Sequence, residues 1–136
     1  MARLTGSVVA GILCLLLWGC STILVINVSG DLQQPVITPE RRAGTVCLSN
    51  LTIYRGSEDQ AVWKIEGRDG ACVRFGRLIY GQAPEGFVER VAAAPLEAGI
   101  VYSARGRGDI RGPLGAIWTG GGAYAFRNGA WSPAAN

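Results

Sequence analysis

The segment from Thr45 to Gly81, TVCLSNLTIYRGSEDQAVWKIEGRDGACVRFGRLIYG, decides the fold class of this chain. Short runs of β-branched, aromatic and other apolar residues alternate here with turn formers such as Arg55-Gly56-Ser57 and Asp69-Gly70. Runs of this length and composition are typical of strands, and Asp-Gly supplies the positive φ angles of a tight hairpin turn. The segment therefore predicts antiparallel strands joined by short turns.

The same pattern continues towards the C terminus, with the further strand-like runs FVERVA, IVYSARG, AIWTG and AYAFRNGAW. Asn128-Gly129 predicts a second tight hairpin. The glycine run 120–122 predicts a flexible hairpin loop, because no Lys-Ser or Lys-Thr follows it to form a phosphate-binding loop. Strands at this spacing predict an all-β fold, a single small β-sandwich over residues 45–131 with a tail at residues 132–136.

The order of these elements is also informative. A strand containing Trp63 is followed by an apolar strand ending at Tyr80-Gly81, a turn-into-strand from Pro95 to Tyr102, and a terminal hairpin ending at Trp131. This order resembles that of small bacterial envelope proteins with an immunoglobulin-like, or fibronectin type III-like, domain. The resemblance covers half the chain. It implies a binding or structural role and transfers no catalytic residue.

Ahead of this region lies a charge-free, largely apolar run from Val8 to Val28, VVAGILCLLLWGCSTILVINV. Twenty-one residues rising about 1.5 Å each can cross a hydrocarbon core of roughly 30 Å as a helix. The run predicts an N-terminal transmembrane or signal helix within residues 1–30. We expect an uncleaved, single-pass anchor, which needs only this length.

Two other fates of the apolar run stay open. Leu17-Trp18-Gly19-Cys20 resembles a lipobox, which would make Cys20 the lipid-bearing N-terminal residue of a bacterial lipoprotein. Trp18 departs from the small residue usual there, and the residues from Thr22 to Val28 are apolar where a mature lipoprotein usually becomes polar. Cleavage of a secretory signal is the third fate, with a weak candidate site around Ser29 and Gly30.

Cysteine usage bears on the compartment. Cys47 and Cys72 are the two cysteines that follow the apolar run. In a chain with an export signal such a pair predicts a disulfide, since two thiolates in a chain without histidine are a poor start on a zinc site. Two separately buried free thiols are the alternative. A disulfide places the domain in the periplasm or outside the cell.

Composition and charge exclude several other classes. Thirteen Lys and Arg stand against ten Asp and Glu, which gives no basic field for nucleic acid. Residues 31–44, DLQQPVITPERRAG, predict a short stiff linker between the apolar run and the domain. The chain has no histidine, the commonest general base and metal ligand. We therefore expect no enzyme, no metal and no cofactor.

The remaining candidates are short. Glu58-Asp59, Glu85 and Glu89 are conceivable acid/base pairs, but they lie in or beside predicted turns and are expected to be solvated. Arg107-Gly108-Asp109 resembles an integrin-binding tripeptide within a polar, glycine-rich segment, which predicts an exposed loop over residues 105–112 and, as an alternative function, an adhesin.

Together these features predict a membrane-tethered binding or structural accessory domain of the cell envelope. The membrane is engaged through the N-terminal segment, by a single pass or by a lipid anchor. The partner is a protein or glycan of the envelope.

Overall fold

The computed structural model describes residues 21–41, 44–56, 60–113 and 115–135, and this part of the chain is all-β. Its strands are β1 (Ser21–Gly30), β2 (Pro35–Pro39), β3 (Thr45–Arg55), β4 (Gln60–Gly67), β5 (Val73–Arg74), β6 (Leu78–Ile79), β7 (Phe87–Val91), β8 (Val101–Arg111), β9 (Ala116–Arg127) and β10 (Ala130–Pro133). A single 3-10 turn, Arg68–Gly70, accompanies them in the described residues. Within these ranges no helix has the length and apolar character to cross a bilayer.

The strands form one continuous curled sheet in the order β6-β2-β1-β9-β8-β3-β4-β7. Two short strands lie off this path, β10 against β9 and β5 against β3. The curl brings the β6 end back towards β4, because the Tyr80 hydroxyl lies 3.1 Å from the Val62 carbonyl oxygen and 2.8 Å from that of Ala94. The all-β class is thus confirmed, whereas two facing immunoglobulin-like sheets are not.

Strand β1 overturns part of the expected membrane helix. Residues 21–28, the last third of the apolar run, lie in the sheet, with β1 parallel to β9 on one side and antiparallel to β2 on the other. Leu24 and Ile26 are 0% exposed and belong to the hydrophobic core. Successive side chains of a strand point to opposite faces of the sheet, so only every second residue of this apolar run is buried. The first twenty residues, including Cys20, lie outside the described ranges.

The expected linker and domain boundaries are also wrong. Strand β2 pairs with β1 and with β6, and its Ile37 is buried, so residues 31–44 contain part of the sheet and are not a spacer. The prolines at the two ends of β2 are compatible with its short length. At the other end β10 extends into the expected tail through Ser132 and Pro133. The folded unit therefore includes β1 and β2 and does not begin at residue 45.

The turn predictions have mixed outcomes. Asn128 and Gly129 both have positive φ and join β9 to β10 as a hairpin, as predicted. Asp69 and Gly70 also have positive φ, but the strand that follows pairs with β3, so no hairpin forms across this turn. Residues 120–122 lie inside β9 and not in a loop. Glycine occurs there because the adjacent strand is close: a Cβ at Gly120 would collide with the Leu24 carbonyl oxygen.

Trp118 organises the centre of the core. Its side chain is fully buried, and its Nε1 donates a hydrogen bond of 2.9 Å to the Cys47 carbonyl oxygen. The indole lies over β8 where Gly106 and Gly108 have no side chain, and a Cβ at Gly106 would approach the indole to 3.0 Å. Glycine is therefore required at these strand positions to seat a large side chain.

The predicted Cys47–Cys72 disulfide is confirmed, with the two Cα atoms 5.3 Å apart. It joins β3 to the segment just before β5. Closing a loop with a sequence separation of 25 residues stabilises the fold by about 3 kcal/mol on the chain-entropy estimate.

Burial of β1 gives a direct stability test. We expect Leu24→Ala to lower the free energy of unfolding by about 2–5 kcal/mol, because it opens a cavity in the core. The matched control is Ile23→Ala, whose side chain is 72% exposed and which should cost under about 1 kcal/mol. Denaturant titration of the oxidised protein followed by circular dichroism measures both. Equal costs for the two variants would contradict the burial of β1.

Candidate functional site

The candidate site lies on the face of the sheet turned away from the core, here called the outer face. Pairing registers place its side chains in rows across four strands. The first row contains Ser21, Ile117, Asp109 and Cys47; the second contains Ile23, Thr119, Arg107 and Asn50; and the third contains Val25, Gly121, Arg105 and Thr52. Alternation along the strands assigns these residues to one face and Leu24, Trp118 and Gly106 to the other.

An open trough of about 1060 Å³ runs along this face over β8 and β9. Its floor is made of small residues, including Ser103, Gly120, Gly121 and Gly122, and Arg105 and Ala135 contribute to its lining. The trough forms where β9 has glycines, at positions where a Cβ would collide with the backbone of a neighbouring strand. A Cβ at Gly121, for example, would collide with the Ala104 carbonyl oxygen.

Exposed apolar side chains border the trough on the β1 side. Ile23, Val25 and Ile117 are 72%, 43% and 50% exposed and are the exposed large hydrophobic residues of the described ranges. Ile23 and Val25 lie on β1, and Ile117 lies on the neighbouring β9. The sequence concealed this division, because Leu24 and Ile26 are as apolar as their exposed neighbours.

Cationic side chains border the other side. Arg105 and Arg107 project from β8 and are exposed, and the Arg105 guanidinium lies 4.7 Å from the centroid of the Tyr54 ring. Further across the sheet, Glu66 forms ion pairs with Lys64 at 2.9 Å and with Arg90 at 3.0 Å. Hydrogen bonds from Lys64 and Arg90 lower the pKa of the Glu66 carboxyl. This carboxylate is already neutralised, so it does not offset the arginines of β8.

Arg107-Gly108-Asp109 does not form the expected adhesion loop. The tripeptide lies in the middle of β8, which pairs with β3 on one side and β9 on the other. Gly108 is buried beneath Trp118, so the motif is extended and held on both edges. The loop prediction is wrong because the glycines of this segment make room for Trp118 and do not form a turn.

The disulfide lies beside Asp109, with the two sulfur atoms and a carboxylate oxygen within 4.8 Å of one another. Both sulfur atoms are committed to the disulfide, so this group does not offer thiolate ligands to a metal ion. Arg111 Nη2 donates a 3.4 Å hydrogen bond to the Cys72 carbonyl oxygen. The disulfide and this hydrogen bond join Cys47 and Arg111 on the outer face to the segment just before β5.

Two of the candidate acidic residues, Glu85 and Glu89, lie in the described part of the chain and have different surroundings. Glu58 and Asp59 lie outside the described residues. Glu89 accepts a 2.8 Å hydrogen bond from Trp63 Nε1. Glu85 lies in the turn before β7, beside Arg68 in a shallow depression.

A small apolar cavity lies inside the curl of the sheet. Its lining includes the rings of Tyr80, Tyr102, Tyr124 and Trp131, and its volume of about 20 Å³ is near that of a single water probe. The cavity is too small for an organic ligand, so we take the trough on the outer face as the candidate site.

Comparisons of the chain with family models, with curated proteins and with solved structures find no match. The outer face therefore has to be interpreted from its own chemistry.

The Tyr80 hydroxyl, which joins the β6 end of the sheet to β4, makes the stability of the fold depend on pH. Burial raises the pKa of the Tyr80 hydroxyl to about 12 from its ordinary value of 10. The folded state thus holds this proton more tightly than the unfolded state. The protonated hydroxyl therefore makes its full contribution to the free energy of unfolding below pH 10, and this contribution is lost as the pH rises from 10 to 12.

We expect Tyr80→Phe to lower the free energy of unfolding at neutral pH by about 1–3 kcal/mol, because the Ala94 carbonyl oxygen loses its hydrogen bond from the Tyr80 hydroxyl. The Val62 carbonyl oxygen keeps the hydrogen bond that the Ala94 N–H donates to it. The difference from the natural protein should shrink as the pH rises above 10. Denaturant titrations at pH 7 and at a series of higher pH values measure it, with Tyr54→Phe on the outer face as the control for loss of a hydroxyl. A pH-independent difference would contradict the account of this proton.

Proposed function

We propose that this chain is a lipid-anchored protein of the cell envelope, in which Cys20 carries the lipid and the β domain acts as a non-catalytic binding or structural module at the membrane surface. Strand β1 includes Ser21, the residue that follows that cysteine, so no spacer separates the lipid-bearing residue from the sheet.

The burial of Leu24 and Ile26 in the sheet carries this proposal. Residues that fold into β1 are not available to a membrane helix, so the apolar run left for the anchor extends only from Val8 to Cys20. Thirteen residues are fewer than the roughly 20 that a spanning helix needs, but they match the 7–15 apolar residues of an export signal.

The strand also accounts for one departure from the lipobox pattern. The residues following Cys20 are apolar, which is unusual for a mature lipoprotein in which a polar linker follows the lipid. Here these residues are apolar because they supply the core and outer face of β1. Trp18, in place of a small residue, remains a departure.

The outer face supports a binding role over a catalytic one. Its trough is open, its floor is backbone and small side chains, and its border includes the Arg105–Tyr54 pair, which suits an extended protein segment or a glycan. An adhesin function through residues 107–109 is less well supported, because the tripeptide is not in a loop.

Intact-mass spectrometry of the detergent-extracted protein tests the anchor. We expect a chain beginning at Cys20 with added diacylglycerol mass, and a further gain of two protons on reduction of the Cys47–Cys72 disulfide. The Cys20→Ser variant should lack the lipid mass and accumulate as the unprocessed precursor.

Cys14→Ser is the matched control, since it removes the other cysteine of the apolar run. Residue 14 belongs to the leader that is cleaved off, so the mass of the lipidated product should stay unchanged. A full-length mass in the natural protein would overturn the proposal in favour of an uncleaved anchor. A shortened chain without lipid would indicate a cleaved secretory signal.

A further inference from the structure

We infer that the end of the outer face nearest Ser21 forms a contact surface for an anionic phospholipid bilayer. This basal patch consists of Ile23, Ile117, Arg107 and Asp109 of the first two rows, together with Arg111, which lies two residues beyond Asp109 on β8. The inference rests on the proposed lipid anchor at Cys20 and states which face of the domain that anchor brings to the membrane.

Tether length fixes which end of the sheet is near the bilayer. Lipidated Cys20 would lie in the headgroup region, and one residue spans at most about 3.6 Å. Ser21, which follows Cys20 in the chain and lies in β1, must therefore lie at the membrane surface. Because β9 runs parallel to β1 and Ser21 pairs with Ile117, the start of β9 lies at the same level.

The chemistry of this end matches a membrane interface. Ile23 and Ile117, two of the three exposed large hydrophobic residues of the described ranges, lie here. Adjacent strands are about 4.8 Å apart, so the two isoleucines and Arg107 of β8 fall within one small area. Apolar side chains flanked by arginines are typical of surfaces that enter the headgroup region of anionic membranes.

The charge balance of the patch favours anionic lipid. Within the patch, Arg107 and Arg111 stand against Asp109, which leaves a net charge of +1. Arg105 adds a further positive group from the adjacent third row. The Glu40 carboxylate nearby accepts a 2.9 Å hydrogen bond from the Val25 amide and so is held at the edge of β1.

This orientation keeps the trough accessible. Part of the trough lining, including Gly56, Gly99 and Ala135, lies towards the opposite end of the sheet. Ten strand residues separate Ile117 from Arg127, a distance of about 30 Å. A bilayer contacting the basal patch therefore leaves the far end of the trough open to a partner.

Site-specific photocrosslinking tests the contact on the full, processed protein. A photoreactive amino acid is placed at Ile23 or, as the control, at Ala98, which is exposed at the far end of the sheet. The protein is reconstituted into vesicles of phosphatidylcholine with phosphatidylglycerol. We expect lipid adducts from position 23 and none above background from position 98.

A charge variant tests the electrostatic part. Arg107→Gln should lower the yield of lipid adducts at position 23 by roughly fivefold in the anionic vesicles, the change expected for one arginine at such a surface. Arg127→Gln, at the far end of β9, is the matched control and should leave the yield unchanged.

Equal adduct yields at positions 23 and 98, or adducts from position 23 to a second protein copy, would overturn the inference. The intact mass of the same sample separates the two proposals. Lipidated protein without adducts at position 23 removes only the membrane face, whereas protein without lipid on Cys20 removes the anchor and the inference that depends on it.

Discussion

The structure depends on the insertion of β1 between β2 and β9. Leu24 and Ile26 close the core on this side, and a Cβ at Gly106 would touch both Ile26 and the Trp118 ring, so strand and indole converge on the same space. The Tyr124 hydroxyl donates a 2.6 Å hydrogen bond to the Ile26 carbonyl oxygen. Without β1, the sheet would be interrupted between β2 and β9, and the backbone edge that each of these strands now pairs with β1 would be open to water.

The same strand links fold to location. Its inward residues belong to the core, and its outward residue Ile23 belongs to the patch that we place at the membrane. One stretch of apolar sequence thus serves two purposes because a strand separates alternate residues onto opposite faces. The trough, formed where glycines replace side chains on β9, lies beside it on the same face.

Much of the fold class was accessible from sequence, because the Cys47–Cys72 pairing and the Asn128-Gly129 hairpin depend on local residue types and simple counting. Strand β1 was missed because a continuous apolar run has no visible period. A compositional signal was present: Leu predominates from Leu13 to Leu17, whereas β-branched residues predominate from Thr22 to Val28. That change occurs near Cys20 and favours a strand after it.

The errors at residues 107–109 and 120–122 have another origin. Glycine was interpreted as a turn former, but Gly108 and Gly120 are required by close approach of Trp118 and of the β1 backbone, both distant in sequence. No local pattern reports such contacts. The outer face was inaccessible for the same reason, since its rows join residues from four strands through pairing registers that only the folded chain defines.

Amide hydrogen exchange over residues 22–28 of the detergent-extracted protein, followed with nuclear Overhauser contacts between β1 and β9, tests the central claim most directly. The account predicts slow exchange together with contacts linking Ile23 to Thr119 and Val25 to Gly121. Helical contacts between residues three and four apart over this segment, without contacts to β9, would contradict it.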